Sequence, residues 1–243
     1  AISHANLAAL SSHGDPAEAE RRYHEALALQ EKLVESHRRD LMYRSDLALT
    51  YNNLGAIQCR GGRFGEAKAS YQRAIDLQQQ LLREAPMRLP FRRDLAISYN
   101  NLGRVYSRSQ EPAEALETFD RARSIREELI TDFPNELSYR SSFGGVLNNQ
   151  GMVLEQLGRP EEAVAAYREA IEHQRFAVEQ APDVSRFRDF LGKHYENLER
   201  VLRAVDRGEE AAEAALARHA LGPGDLQRPT DDTTPSDREE SIR

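Results

Sequence analysis

Apolar residues return along this chain with two nested periods. The short period is helical: Tyr51, Leu54, Gly55 and Gln58 stand at i, i+3, i+4 and i+7, and Tyr99, Leu102, Gly103 and Tyr106 repeat the pattern. The long period is 48 residues. Tyr43, Phe91, Tyr139 and Phe187 fall at that interval, as do Leu47, Leu95, Phe143 and Leu191. Ala67, Ala115, Ala163 and Ala211 follow in each unit, then Ala26, Ala74, Ala122 and Ala170, then Pro86, Pro134 and Pro182. Self-similarity at a fixed period of this size is the sequence signature of stacked supersecondary units.

Each unit is expected to be a helical hairpin. Its first helix carries the Tyr-x2-Leu-Gly stripe. Turn residues follow at Gly61-Gly62-Arg63, Gln110-Glu111-Pro112 and Gly158-Arg159-Pro160. A second amphipathic run comes next, for example Glu66 to Glu84 with Ala67, Tyr71, Ala74 and Ile75 on one side. The closing prolines cannot continue a helix and bias the residue before them away from it. The predicted organisation is an incomplete first repeat over 1–36, repeats over 37–84, 85–132 and 133–180, a degenerate capping repeat over 181–220, and an acidic tail over 221–243. That tail is rich in Pro, Gly, Asp and Thr and is expected to be disordered, since it offers little apolar surface against its ordering entropy. The first residue is not Met and the first hairpin is short at its start, which suggests a fragment of a longer protein.

The spacing Tyr99-x2-Leu102-Gly103-x2-Tyr106, then Ala115-x3-Phe119, Ala122 and Pro134, resembles the tetratricopeptide repeat, whose signature is W-x2-L-G-x2-Y followed by A-x3-F and a terminal proline. The second unit matches through Tyr51, Leu54, Gly55, Ala67, Tyr71, Ala74 and Pro86. The fourth keeps Gly151, Ala163, Tyr167 and Ala170 but has Leu147 and Gln150 at the aromatic and leucine positions. The fifth exchanges the glycine for Glu199 and the second aromatic for Ala215, a decay that suits a cap. A period of 48 exceeds the usual 34 by about 14 residues, enough for roughly two extra turns in each helix. The longer repeats with an N-N-L core are similar to those of kinesin light chains and of bacterial multi-domain regulators. The resemblance implies an all-α fold, a right-handed α-solenoid of antiparallel helix pairs whose concave face binds peptides or proteins.

Composition narrows the picture further. The chain has 243 residues, no Trp and 7% aromatic residues, with long stretches of Ala, Leu, Glu, Arg and Gln that favour helix. A formal net charge of −7 argues against the summed basic field of a nucleic-acid binder. Cys59 is the single cysteine, so neither an internal disulfide nor a cysteine-based zinc site can form, and a reducing cytoplasmic setting is expected. No apolar run is long enough to span a membrane, and no membrane partner is expected. The string HRRDL at His37 to Leu41 carries an extra Arg39 relative to a kinase catalytic loop and lacks the asparagine that should follow. GGRFGEAK at Gly61 to Lys68 lacks the ending of a phosphate-binding loop. The seven histidines show no metal-binding spacing, so neither catalysis, metal nor cofactor is expected.

What remains unexplained is a polar column. Asn6, Asn53, Asn101, Asn149 and Asn197 recur once per unit, although asparagine costs roughly half a kcal/mol against alanine inside a helix. On a helical wheel Asn53 falls opposite the packed stripe, on the side that lines the groove of a curved stack. Such carboxamides can hydrogen-bond the main chain of an extended peptide, and in the resembled families they do so; equally, each could bond the neighbouring helix and set the stacking angle. Asn52, Asn100 and Asn148 fall at the groove edge. Arg60, Arg104, Arg108, Lys193 and Arg200 share the groove stripe and point to a ligand with acidic groups, or to ordinary solvated charge. Arg44, Arg92, Arg140 and Arg188 open the first helices and are expected to cap the last carbonyls of the helix before.

The expected function is a protein-protein interaction scaffold that holds an extended protein or peptide segment in its concave groove. The alternatives are the C-terminal regulatory part of a larger enzyme, such as a bacterial serine/threonine kinase, and a homo-oligomer built through the exposed first repeat.

Overall fold

Leu41, Leu89, Leu137 and Ser185 each begin a helix, and Phe64, Pro112, Pro160 and Gly208 each begin another, so both series keep the interval of 48 without a slip. The computed structural model describes residues 16–222. Its helices are α1 (Pro16–Ser36), α2 (Leu41–Arg60), α3 (Phe64–Glu84), α4 (Leu89–Arg108), α5 (Pro112–Asp132), α6 (Leu137–Gln156), α7 (Pro160–Gln180), α8 (Ser185–Ala204) and α9 (Gly208–Ala220). Every regular element among the described residues is α-helical. The pairs α2/α3, α4/α5, α6/α7 and α8/α9 form hairpins, and α1 packs on α2 in the place that a second helix takes in the later units. Each helix packs on the one before and the one after, which makes an α-solenoid rather than a bundle around one centre.

Local chemistry sets the ends. Asp40 caps α2, its Oδ1 accepting from the Met42 N–H at 2.8 Å, and Glu136 caps α6 by accepting from the Ser138 N–H at 3.3 Å. Pro112 and Pro160 open α5 and α7 rather than sitting in the preceding turn, because the first helical position has no N–H to lose. Within each hairpin the first helix ends in the same motif. The N–H of Arg63, Glu111, Arg159 and Arg207 each bonds the carbonyl five residues earlier at 2.9 Å. This requires a left-handed residue just before it, and Gly62, Gln110, Gly158 and Asp206 fill that place with φ of 74°, 64°, 69° and 59°. At the other end, Ala85, Phe133 and Ala181 leave the helix immediately before the prolines.

Packing explains the repeat signature. Ala67, Ala74, Ala115, Ala122, Ala163 and Ala170 are fully buried where helices cross. The signature glycines receive an aromatic ring, not a neighbouring backbone: a Cβ on Gly55, Gly103 or Gly151 would lie 3.0 Å from Tyr71, 2.7 Å from Phe119 or 2.5 Å from Tyr167. In the last unit both partners change together. With Ala215 in place of the ring, the side chain of Glu199 fits, buried and paired with Arg203 at 2.7 Å and Arg218 at 3.2 Å.

Of the arginines that open the first helices, Arg44 and Arg92 pair with carboxylates rather than with the carbonyls of the helix before. Arg44 grips the Glu84 carboxylate with two bonds of 2.5 and 2.6 Å, and Arg92 bonds Asp132 at 2.6 Å and Glu128 at 2.8 Å. In an antiparallel hairpin the end of the second helix lies beside the start of the first, so the nearest anions there are side chains of the same unit. Arg140 reaches a carbonyl, that of Pro134 in the turn, and stacks on Phe176 with its guanidinium 4.3 Å from the ring centre.

Candidate functional site: the inner wall of first helices

Adjacent first helices approach closely, α2 on α4, α4 on α6 and α6 on α8, whereas second helices stand further apart and are joined through long side chains, Arg123 on α5 to Glu169 on α7 at 3.1 Å and Arg168 on α7 to Glu210 on α9. A stack close on one side and spread on the other curves toward the close side. The first helices therefore form the inner wall.

On that wall the asparagines are joined across every described interface between first helices. Asn101 donates from Nδ2 to Asn52 Oδ1 at 3.3 Å, Asn149 to Asn100 at 3.0 Å and Asn197 to Asn148 at 2.9 Å. The second asparagine of each unit thus clasps the first asparagine of the unit before. Asn52 also accepts from the Ser98 hydroxyl at 3.2 Å, and Asn52 and Asn148 are buried, so their polar groups need these partners. Asn53, Asn101, Asn149 and Asn197 are half-buried, and the last three are held in the interfaces by these bonds. A carboxamide has one acceptor and two donors, and the clasp uses one donor. At Asn197 the oxygen accepts from Arg200 at 2.8 Å. Asn6 lies outside the described residues.

The cations differ in what they do. Arg104 and Arg200 share one register, and Arg60 and Arg108 share the next turn. Arg200 is held by Glu155 at 2.7 Å, which also accepts from the Tyr167 hydroxyl, and that hydrogen bond pushes the guanidinium above its ordinary value. Arg108 is exposed and has no carboxylate partner among the described residues; it donates to Cys59 Sγ at 3.2 Å and lies 5.4 Å from the centre of the Phe64 ring. Lys193 sits 5.8 Å from the Phe190 ring centre. Arg60 is exposed and Arg104 half-buried. Between the cations the wall is apolar in part, with half-buried Leu49 and Ile97 and exposed Met152.

A second polar column escaped the sequence reading. Gln30, Gln78, Arg126 and Gln174, again 48 apart, are buried in the second helices. Gln174 shows their use: it accepts from Ser141 at 3.0 Å on its own unit's first helix and donates to the Phe187 carbonyl at 2.9 Å on the next. The interval was legible, but a glutamine on an amphipathic helix gives no sign of its face. Among the described residues no group of three His, Cys, Asp or Glu could hold a metal ion, and no helix is long and apolar enough to cross a membrane.

Helical hairpins stacked in register, with a glycine-to-ring contact in α2/α3, α4/α5 and α6/α7 and an inner wall of first helices, define the helical-repeat solenoids. A tetratricopeptide repeat profile matches residues 6–80 and 46–128, and a second one residues 145–175. The chain belongs to the tetratricopeptide repeat family. No curated protein sequence matches it. Among solved structures, the nearly identical TPR-like repeats of a putative kinesin light chain from Podosopora anserina share 18% identity, covering 90% of this chain and 93% of that one with a TM-score of 0.62. RapI in its apo form shares 15% identity at a TM-score of 0.67, over 90% of this chain and 52% of that one. MamA shares 18% identity at a TM-score of 0.50, over 90% and 91%. These likenesses establish the fold, a repeat architecture consistent with a protein-protein interaction scaffold.

Proposed function

We propose that the inner wall binds an extended segment of a partner protein in the cytoplasm, without catalysis. The carboxamides of Asn53, Asn101, Asn149 and Asn197, with Asn6 at the start of the same column, hydrogen-bond the segment's main chain. Arg60, Arg104, Arg108, Lys193 and Arg200 meet its acidic side chains, and Leu49, Ile97 and Met152 take its apolar ones. The observation that supports this reading is the clasp. Three interfaces repeat the same donor and acceptor, so the amides are held at regular intervals in one orientation before any ligand arrives, which lowers the ordering cost of binding.

The test uses a peptide selected from a display library against the wild-type chain, then titrated calorimetrically. Asn101→Ala and Asn149→Ala should each weaken binding about fivefold, the worth of one neutral hydrogen bond of about 1 kcal/mol. Methylating main-chain nitrogens of the peptide should weaken it as well, while exchanging its solvent-facing side chains should not. Selected peptides that bind both variants as tightly as the wild type, with circular dichroism unchanged, refute the amide ladder as a ligand contact.

A further inference from the structure

The two long edges of the solenoid differ in how their charges are matched. Along the edge formed by the turns inside each hairpin, cations have acids: Arg63 bonds Glu20 at 2.6 Å, Lys68 bonds Glu111, Arg159 bonds Glu162 at 2.6 Å and Arg207 bonds both Glu210 and Glu161. The edge formed by the turns between units carries Arg38, Arg39, Arg83, Arg88, Arg186 and Arg188. All six are exposed, and none has an ion-pair partner among the described residues. The acids of that edge are fewer or engaged: Glu84 and Asp132 hold Arg44 and Arg92, Asp40 and Glu136 cap helices, and Glu35 and Asp183 remain.

The same edge gathers exposed apolar side chains. Met87 is 92% exposed at the tip of one turn, Met42 is 50% exposed in the first turn of α2, and Phe133 and Val184 are exposed at the next two turns. Two features therefore coincide along one line, guanidinium groups without anions and apolar tips without cover, whereas among the described residues the opposite edge has Arg108 without an anion and no exposed large apolar side chain at its turns.

The course of the chain says what could cover them. Second helices run toward this edge, and α9, 13 residues long against 21 for α7, ends short of it, with Leu221 Cδ1 3.9 Å from the position of a Cβ on Gly192, about two turns into α8. Residues 223–243 then carry six acids, Asp225, Asp231, Asp232, Asp237, Glu239 and Glu240, against three arginines. We propose that this acidic C-terminal segment binds back along the edge of inter-unit turns, its carboxylates pairing with Arg186, Arg188 and Arg88. Reach is ample. The 21 residues after Gly222 extend to about 70 Å, and stacked helices lie about 10 Å apart, so the Arg88 turn two units away is well within the span. Arginine suits the task because its fork meets a carboxylate with two parallel bonds. Pairs this exposed are screened by salt, so the seat is reversible. Nothing in this inference depends on what the inner wall binds.

The chain contains its own reporters. Of its three methionines, Met42 and Met87 stand on the edge, and Met152 stands on the inner wall about 20 Å down α6 from it. The full chain is labelled with methyl-13C methionine and given a nitroxide at Ser236→Cys in a Cys59→Ala background. Should Cys59→Ala fail to fold, the nitroxide is ligated enzymatically after Arg243 and Cys59 is kept. The Met87 methyl signal should broaden severalfold more than Met152, and the difference should disappear in 0.5 M NaCl and in the Arg88→Gln, Arg186→Gln, Arg188→Gln triple variant. Equal broadening of all three signals, or stronger broadening of Met152, which places the segment in the groove, overturns the proposal. So does broadening that survives salt or the triple variant. A mixture of isotope-labelled chains without nitroxide and nitroxide-bearing chains without isotope reports a second copy as the occupant; broadening there overturns the proposal too.

Discussion

Gly151→Ala is the sharpest test of what holds a unit together. A Cβ at that position would stand 2.5 Å from Tyr167 Cε1 and 2.8 Å from its Cδ1 and Cζ, with the ring fully buried and unable to swing aside. Adding a methyl to a well-packed site costs about 1 to 3 kcal/mol, and the tightness here argues for the upper end. Against it stands about 1 kcal/mol gained by replacing glycine with alanine inside a helix. The net expectation is a loss of about 1 to 2 kcal/mol. The same sum gives a graded series. Gly103→Ala, at 2.7 Å from Phe119, should cost less, and Gly55→Ala, at 3.0 Å from Tyr71, should be near neutral. Gly145→Ala, with nothing within 4 Å, should stabilise by up to about 1 kcal/mol. Urea denaturation followed by circular dichroism reads all four. The decisive measurement is the cycle with Tyr167→Leu. Once the ring is gone, Gly151→Ala should turn from loss to gain, a coupling of about 2 kcal/mol. If the two changes add independently, or if Gly151→Ala is as stable as Gly145→Ala, glycine is not there for the ring.

Three further outcomes follow from named residues. Gln110 and Asp206 hold left-handed backbone at exposed turns where Gly62 and Gly158 stand in other units, so Gln110→Gly should stabilise by about 0.5 to 1 kcal/mol and Gly62→Ala should destabilise by about 1 kcal/mol in urea melts. His194 is 3% exposed with neither ring nitrogen bonded, and burial pushes its pKa from 6.5 down to about 3. The unfolded chain therefore takes up the proton first as pH falls. Stability should be full above pH 6.5 and fall by about 1.4 kcal/mol per unit below it, about 2 kcal/mol by pH 5, a slope that His194→Val should lessen by that amount in melts across pH. For the clasp, Asn148→Ala should cost about 1 kcal/mol in urea melts by leaving Asn197 without its acceptor, and Asn148→Asp, which keeps an acceptor oxygen, should recover most of that loss.

The fold was legible because every unit states it again. A lone Tyr-x2-Leu-Gly is weak, but the interval carries from Leu41 to Gly208 without error, and the helix starts obey it. The reason for the glycine was not legible, since small residues at a crossing suggest backbone contact as readily as a ring. The opening arginines were misplaced for a related reason. A helical wheel places Arg44 on a face but is silent on the second helix of its own hairpin, which brings Glu84 to it. The paired asparagines were visible from the start, yet the bond between them joins residues 49 apart, one more than the period. Only the geometry of stacking shows that the second member of one pair meets the first member of the pair before.

That offset bears on how groove and scaffold interact. In a solenoid the stability of the array is a sum over neighbouring interfaces, and here each described interface between first helices carries an amide clasp, at the surface proposed to meet a ligand. A ligand that bonds Asn101 and Asn149 together spans two clasps and engages only chains whose units are stacked in register. Its binding free energy is then added to those interfaces by mass action, about 2.7 kcal/mol at a hundredfold excess over Kd. The asparagines are poor helix formers; on the proposed reading they would serve both as clasp and as contact and so tie the curvature of the wall to its occupancy.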